Sequence, residues 1–217
     1  LAVLRVCEIM NEVLPPGVFN ILSGFGPECG GPLVAHPDVG KITFTGSVET
    51  GKIISRAAAE KLIPVTLELG GKSPMIVMDD ADLERAVEGA VTGVPFTRQG
   101  QSCTAARRIY VHESLHDRFV EALKARVDGM VMGDPLDEAT DIGTIVSEQQ
   151  YEKVLGYITQ GQADGGTALE ASRLPEDSRL SKGYFVRPVI FTDLPETSRC
   201  IQEEIFGTVT AVQRISS

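Results

Sequence analysis

The sequence predicts an α/β protein built around a parallel sheet. Within the first 71 residues, three short apolar or β-branched runs lead into glycine-containing turns, at residues 18–22, 41–45 and 65–69. Apolar residues at helical spacing follow the first two runs. Strands that alternate with helical crossovers favour a parallel sheet with right-handed connections.

The elements can be placed in order along the chain. An amphipathic helix pattern ends near Leu14, before Pro15-Pro16-Gly17, and a short helix is expected around residues 33–35. A longer helix opens after Gly46-Ser47. The strand–helix pattern then restarts after Gly71, which places the boundary between two domains, 1–69 and 70–217.

The second domain should contain both strands and longer helices. Strands are predicted at residues 74–78, 108–111, 185–191 and 209–215, with a weaker strand among the turns of 161–182. Helices are predicted at residues 82–91, 115–130 and 147–161, the second with Ser114 as its N-cap.

Composition excludes several classes of function. Thirty acidic residues against twenty basic ones give a net charge of −10, which argues against nucleic acid as a partner. No apolar run approaches the roughly 18 residues that a membrane span needs. The four cysteines are scattered, without metal-ligand or disulfide spacing, which favours reduced thiols in a cytoplasmic protein and no metal site.

Gly46 and Ser47 form the first candidate site. They lie in a turn between a predicted strand and a helix, where free N–H groups could bind an anion such as a pyrophosphate. The usual G-x-G-x-x-G order is absent, however, and on spacing alone a simple connecting turn is the commoner interpretation.

Glu68 is the second candidate, at the carboxyl end of a predicted strand where parallel sheets carry functional groups. Leu67, Leu69 and the following glycines suggest a desolvated carboxyl group that could act as a general base. A Glu68 that caps a helix or pairs with Lys72 is an equally good interpretation of these residues alone.

Cys103, in QGQSCTAAR at residues 99–107, is the third candidate. A glycine turn leading into a helix would supply N–H groups that favour a thiolate nucleophile and stabilise an oxyanion. The alternative is a buried, inert thiol, which is how we interpret Cys7, Cys29 and Cys200. A cysteine hydrolase that uses His112 lacks an orienting Asn or Asp.

Four motifs follow one another along the chain: FTGS at residues 44–47, LELGGKSP at 67–74, GQSCTA at 100–105 and EEIFG at 203–207. Together, in this order and approximate spacing, they resemble the motifs of the aldehyde dehydrogenase superfamily. The resemblance covers essentially the whole chain. It implies oxidation of an aldehyde to a carboxylic acid with NAD or NADP.

The resemblance also implies roles for individual residues. Cys103 would form a thiohemiacetal and then a thioester, its own N–H would bind the oxyanion, and Glu68 would activate the hydrolytic water. The implied cofactor contacts are the pyrophosphate (Gly46, Ser47), the carboxamide (Leu69, Gly70), the nicotinamide ribose (Glu204) and the nicotinamide ring (Phe206).

In this family-based interpretation, residues 1–69 are a partial dinucleotide-binding domain and residues 70–217 most of a catalytic domain, within a longer parent protein. The parent would be a homo-oligomer, a dimer or a tetramer. Thr208 replaces the usual proline, and Thr97-Arg98 replaces the usual approach to the cysteine motif. A truncated chain acting as a scaffold, or as an esterase that needs no cofactor, remains the alternative.

Overall fold

The computed structural model describes residues 2–216, which divide into two compact units between Leu69 and Gly70. We describe each unit by itself. No helix in the described part of the chain is long and apolar enough to cross a membrane. Nor do residues 2–216 contain a group of three or more His, Cys, Asp or Glu side chains arranged to hold a metal ion.

The first unit contains a two-stranded parallel sheet. Strand β1 (Ile42–Thr45) pairs with β2 (Val65–Glu68). The helices are α1 (Ala2–Val13), α2 (Gly31–Ala35) and α3 (Val48–Lys61), with a π-helical turn at Gly26–Gly30. The strand expected at residues 18–22 is wrong. That segment pairs with no strand among residues 2–216, so its backbone lacks the ladder that defines a strand.

Helix α3 connects β1 to β2 and packs against the sheet. Ile54 and Ala58 of α3 form a small buried core with Ile42 of β1. Ser47 caps the helix by accepting a hydrogen bond from the Thr50 N–H at 3.2 Å. At the other end, Leu62 adopts a left-handed conformation with φ 54°, which ends α3 and turns the chain towards β2.

The second unit is organised around a five-stranded sheet. Its order is β3-β4-β7-β6-β5, and the strands are β3 (Ser73–Val77), β4 (Ala106–His112), β5 (Thr167–Glu170), β6 (Val189–Thr192) and β7 (Val209–Ile215). All neighbours are parallel except the edge strand β5, which is antiparallel to β6. Strand β6 begins at Val189, not near residue 185, because Pro188 has no N–H for the ladder.

Helices cover both faces of this sheet. Ile190 of β6 belongs to one buried cluster, with residues of α4 (Leu83–Gly93) and α5 (His116–Asp128). Its neighbours Val189 and Phe191 belong to a second cluster, with α6 (Glu148–Ala163) and α7 (Arg199–Gln202). Because successive strand residues point to opposite faces, the two clusters lie on opposite sides of the sheet.

Two of the helix starts in the second unit match the sequence interpretation, and one does not. Asp82 caps α4 and Ser147 caps α6, each through a hydrogen bond from the backbone three residues later. Ser114 does not cap α5. Its hydroxyl lies 2.8 Å from His112 Nδ1, and α5 begins after Leu115 without a side-chain cap.

Candidate active site

Three loops of the second unit lie side by side at one edge of its sheet. Gly70-Gly71-Lys72 precedes β3, the turn with Cys103 precedes β4, and residues 203–207 precede β7. Strands β3, β4 and β7 are adjacent and parallel. The loops before them therefore meet at the amino-terminal edge, which brings together four predicted site residues: Gly70, Cys103, Glu204 and Phe206.

Cys103 carries an exposed, free thiol on a tight turn. The backbone reverses through two left-handed residues, Gln99 with φ 52° and Gly100 with φ 62°. The turn leads into β4, so the expected helix after Cys103 is wrong and the thiol does not lie at the start of such a helix. No acceptor in the described chain takes up the Cys103 N–H, which is left available to an oxyanion.

Contacts on both sides fix this turn. The Gln101 side-chain oxygen accepts a hydrogen bond from the Val146 N–H at 3.0 Å. On the other side, the carbonyl oxygen of Cys103 approaches Gly71 so closely that a Cβ atom there would lie 3.1 Å away. The second glycine of the LELGG motif therefore allows the thiol-bearing turn to pack against the loop before β3.

Glu204 occupies the space that Gly70 leaves open. A Cβ atom at Gly70 would overlap the Glu204 carboxylate, lying 2.6 Å from its Cδ. The Gly71 N–H donates to Glu204 Oε1 at 3.3 Å. The glycine pair thus holds a half-buried carboxylate next to the turn that carries the thiol.

The neighbouring Glu203 has a different position. Arg199 pairs with its carboxylate at 2.8 Å, and the Tyr157 hydroxyl donates to it at 2.6 Å. The hydrogen bonds from Arg199 and then Tyr157 lower the pKa of Glu203 to about 2. Burial, together with Glu203, raises the pKa of Tyr157 to about 12. Glu203 is therefore engaged on the α6–α7 side, and Glu204 is the carboxylate that faces the glycine pair.

Phe206 is half-buried and has an unusual backbone conformation, with φ 59°. The Gln150 side-chain amide of α6 stabilises it by donating to the carbonyl oxygens of Ile205 at 2.8 Å and Phe206 at 2.9 Å. A left-handed conformation costs a non-glycine residue about 1–3 kcal/mol and persists only where surrounding contacts impose it. Sequence reasoning missed Gln150, since a polar residue in the first turn of a helix is unremarkable.

Two buried basic groups, on Lys72 and Arg107, lie near Glu204. Sequence reasoning considered Lys72 only as a partner of Glu68, and it missed Arg107. The Lys72 Nζ has no hydrogen-bond partner among residues 2–216. Burial, followed by the charge of Arg107, lowers the pKa of Lys72 to about 7. Burial also lowers the pKa of Arg107 to about 10, against the opposing charge of Glu204. A sequence signal existed for Arg107, because strand alternation places it among inward-facing residues of β4.

The first unit holds the remaining predicted residues. The Gly46 N–H donates to the Glu68 carbonyl oxygen at 3.0 Å, so the carboxyl ends of β1 and β2 lie together. A Cβ atom at Gly46 would overlap the Phe44 ring. Leu69 packs against Gly51 in α3. The Glu68 side chain is exposed, so the desolvation expected from its apolar neighbours is wrong.

Comparison with known proteins identifies the relatives of this chain. A family model described as "Aldehyde dehydrogenase family" matches residues 1–217. The chain is 44% identical to aminoaldehyde dehydrogenase 2, peroxisomal, of Pisum sativum, over 100% of this chain and 43% of the relative. It is 46% identical to betaine aldehyde dehydrogenase of Rhizobium etli, over 98% of this chain and 43% of the relative.

Solved structures show the same architecture. An NAD+ complex of aldehyde dehydrogenase from Bacillus cereus superposes with a TM-score of 0.93 at 42% identity, covering 100% of this chain and 43% of that one. The chain spans less than half the length of the relatives it matches. With a family match over every residue and α/β folds in common, this chain belongs to the aldehyde dehydrogenase family.

Proposed function

We propose that the protein containing this chain oxidises an aldehyde to a carboxylic acid, with NAD or NADP as the hydride acceptor. The observation that carries the proposal is the exposed Cys103 thiol beside the Gly70–Glu204 contact. The family match and the names of the relatives support it. Because aminoaldehyde and betaine aldehyde dehydrogenases recur among those relatives, we propose an aldehyde bearing an amino or quaternary ammonium group.

The residues fit a dinucleotide at several points. Ser47 caps α3, a 14-residue helix whose first N–H groups suit a pyrophosphate. The side-chain-free surface of Gly70 and the carboxylate of Glu204 suit the carboxamide and ribose hydroxyls, with Leu69 beside Gly70 and Phe206 at the ring. When bound, NAD or NADP supplies the acceptor for a hydride. Structures similar to this chain include NAD+ complexes from Bacillus cereus and Staphylococcus aureus, which favours NAD.

Cys103 is the nucleophile in the proposed reaction. Its thiolate forms a C–S bond to the aldehyde carbon, and the carbonyl electrons move to oxygen to give a thiohemiacetal. The free Cys103 N–H donates to that oxyanion. Loss of hydride from the same carbon leaves a thioester on Cys103.

Glu68 is the general base for the second half. It takes a proton from water, whose oxygen adds to the thioester carbon; the C–S bond then breaks, releasing the carboxylic acid and the thiolate. Exposure of Glu68 leaves it open to solvent in this chain. Its pairing with Cys103 rests on the proposed reaction, since the two residues belong to different units.

The two units have separate roles in this proposal. Residues 1–69 are part of a dinucleotide-binding domain, and residues 70–217 most of a catalytic domain. The parent protein is a homo-oligomer, a dimer or a tetramer. We propose a cytoplasmic location because all four cysteines are free thiols, although plant relatives carry peroxisomal or chloroplastic names.

Substitutions at Cys103 and Glu68 test the mechanism in the parent protein. With betaine aldehyde and NAD+, Cys103→Ser should abolish NADH formation, and Cys29→Ser should not. Glu68→Gln should give a burst of about one NADH per active site, followed by little turnover, because the thioester accumulates. An unchanged steady-state rate in either active-site variant would refute the assigned role.

The alternative function predicts different results for the isolated 217-residue chain. As a scaffold, the chain would show no NAD+ binding by calorimetry. As an esterase, it would hydrolyse a nitrophenyl ester without cofactor, and Cys103→Ser would remove that activity.

A further inference from the structure

Arg107 joins the two loops on which the proposed chemistry depends. Its side chain is 1% exposed, and its Nη1 donates to the carbonyl oxygens of Gly207 at 2.5 Å and Val209 at 3.2 Å. Gly207 directly follows the segment that carries Glu204 and Phe206. An arginine in β4 therefore holds the start of β7 and the end of the Glu204 loop.

The same guanidinium reaches the turn that carries the thiol. A Cβ atom at Gly100 would lie 2.7 Å from Arg107 Nη1 and would overlap the Gly207 carbonyl. Gly100 has φ 62° and lies three residues before Cys103. Gly100, Arg107 and Gly207 thus meet at one point, with the cysteine turn on one side and the Glu204 loop on the other.

We propose that Arg107 is a positioning residue that locks the Cys103 turn to the Glu204–Phe206 loop. Cys103 contacts the aldehyde in the proposed function, and Glu204 and Phe206 contact the cofactor. The guanidinium sets the distance between these two groups without touching either ligand. The roles of the two loops rest on the proposed function, whereas the lock itself is a property of the second unit.

Arg107 has features that suit it to this role. Its Nε and Nη2 are buried and have no hydrogen-bond partner in residues 2–216. Within those residues, the side chain donates only from Nη1, to the carbonyl oxygens of Gly207 and Val209. Both bonds are charge-assisted, and such bonds are stronger than neutral ones. The guanidinium is therefore committed to the junction, and a shorter or neutral side chain cannot hold both carbonyl oxygens.

Hydrogen exchange in the wild-type chain gives the most direct test. Under native conditions with low denaturant, the lock requires residues 99–104 and 203–207 to open together, with the same opening equilibrium. Different opening equilibria for the two segments would overturn the proposal. This measurement needs neither a variant nor a ligand.

Arg107→Met, which removes the charge and keeps the chain length similar, should raise exchange about tenfold in both segments while α5 keeps its protection. Arg107→Lys should restore part of the protection, because one ammonium can reach one carbonyl oxygen. Arg214→Met is the matched control: Arg214 lies further along β7, is 47% exposed and pairs with Asp117 at 2.6 Å. A uniform rise in exchange across the unit would show a merely structural role and would also overturn the proposal.

Ligand measurements connect the lock to function. Arg107→Met should weaken NAD+ binding about tenfold in calorimetry of the parent protein and change the iodoacetamide alkylation rate of Cys103, followed by peptide mass. Arg214→Met should do neither. If the wild-type protein bound no NAD+, the proposed function would fail. Hydrogen exchange in residues 99–104 and 203–207 would still test whether Arg107 joins the two segments.

Discussion

The carboxylate of Glu204 lies where a side chain at Gly70 would have to be. A Cβ atom on Gly70 would come 2.6 Å from Glu204 Cδ, and the adjacent Gly71 N–H donates to the same carboxylate. The glycine pair and the second glutamate of EEIFG therefore form one contact, although more than a hundred residues separate them in the sequence.

Gly70→Ala should reduce cofactor affinity more than stability. The added methyl group would displace the end of a flexible side chain, so the fold can adjust while the Glu204 carboxylate moves. We expect NAD+ binding by the parent protein to weaken about tenfold, with a free energy of unfolding within about 1 kcal/mol of wild type. Gly89→Ala is the control, because its Cβ atom would lie an ordinary 3.6 Å from Met75. Equal NAD+ affinity in both variants would contradict the prediction.

Thr208→Val should destabilise the second unit by about 1–2 kcal/mol. Thr208 is fully buried, and its hydroxyl bonds to the carbonyl oxygens of Val186 at 3.2 Å and Arg187 at 3.4 Å. Valine keeps the shape but removes the donor. Thr159→Val, at an exposed position of α6, loses a similar bond to Leu155 and should change stability by less than about 0.5 kcal/mol. Urea unfolding measures both, and equal losses would count against a role for burial.

Lys72 should make stability depend on pH near neutrality. Burial lowers the pKa of Lys72 to about 7, from 10.5 when unfolded. Between these values the unfolded chain binds more protons, so the free energy of unfolding should rise with pH, by up to about 1.4 kcal/mol per unit. The contribution of Lys72 to the free energy of unfolding is therefore complete above pH 10.5 and is lost as the pH falls through about 7.

Lys72→Met should flatten this rise between pH 7 and 8.5, measured by urea unfolding. Higher pH is avoided because of Cys200, whose thiol pKa is raised by burial. Titration of that thiol would lower the free energy of unfolding as the pH rises, against the effect of Lys72. Lys124→Met, which removes a surface partner of Asp128, should keep the slope. If the slope of Lys72→Met matched that of Lys124→Met, the buried amine would not be its source.

Two glycines of α6 should respond in opposite directions to alanine. A Cβ atom at Gly161 would lie 2.6 Å from the buried Phe191 ring, and we expect a loss of about 1–3 kcal/mol. Gly156 has nothing within 4 Å, so alanine there should gain about 0.5–1 kcal/mol from helix propensity. Thermal unfolding distinguishes the two; a gain at both positions would mean that Phe191 moves aside freely.

Local patterns predicted much of the fold. The β-branched run at β1, the glycine turn and the Ser47 cap together specify the strand–turn–helix unit that ends at Lys61. Long-range pairing could not be predicted in the same way. Apolar runs carry no information about which strands are neighbours, and the segment at residues 18–22 has the composition of a strand but no partner strand among residues 2–216.

The proposed site, too, could be predicted only in part from local patterns. The rule that functional groups follow the carboxyl ends of parallel strands describes Glu68, which ends β2. It does not describe Cys103 and Glu204, which come before β4 and β7, at the amino-terminal edge. Arg107 was missed because the predicted strand began at Arg108, so the alternation that places residue 107 on the inward face was not extended to it.

The strand order of the second unit affects how the chain folds during synthesis. Strand β7 follows the other strands described in residues 2–216, yet it lies between β4 and β6. Until the ribosome has released residues 209–215, β4 and β6 each expose an unpaired edge, together with the apolar residues that β7 would cover. Such a late central strand slows folding and lengthens the time open to aggregation. A chaperone that binds extended apolar segments should therefore associate with nascent chains that end before Val209, and release them once β7 is complete.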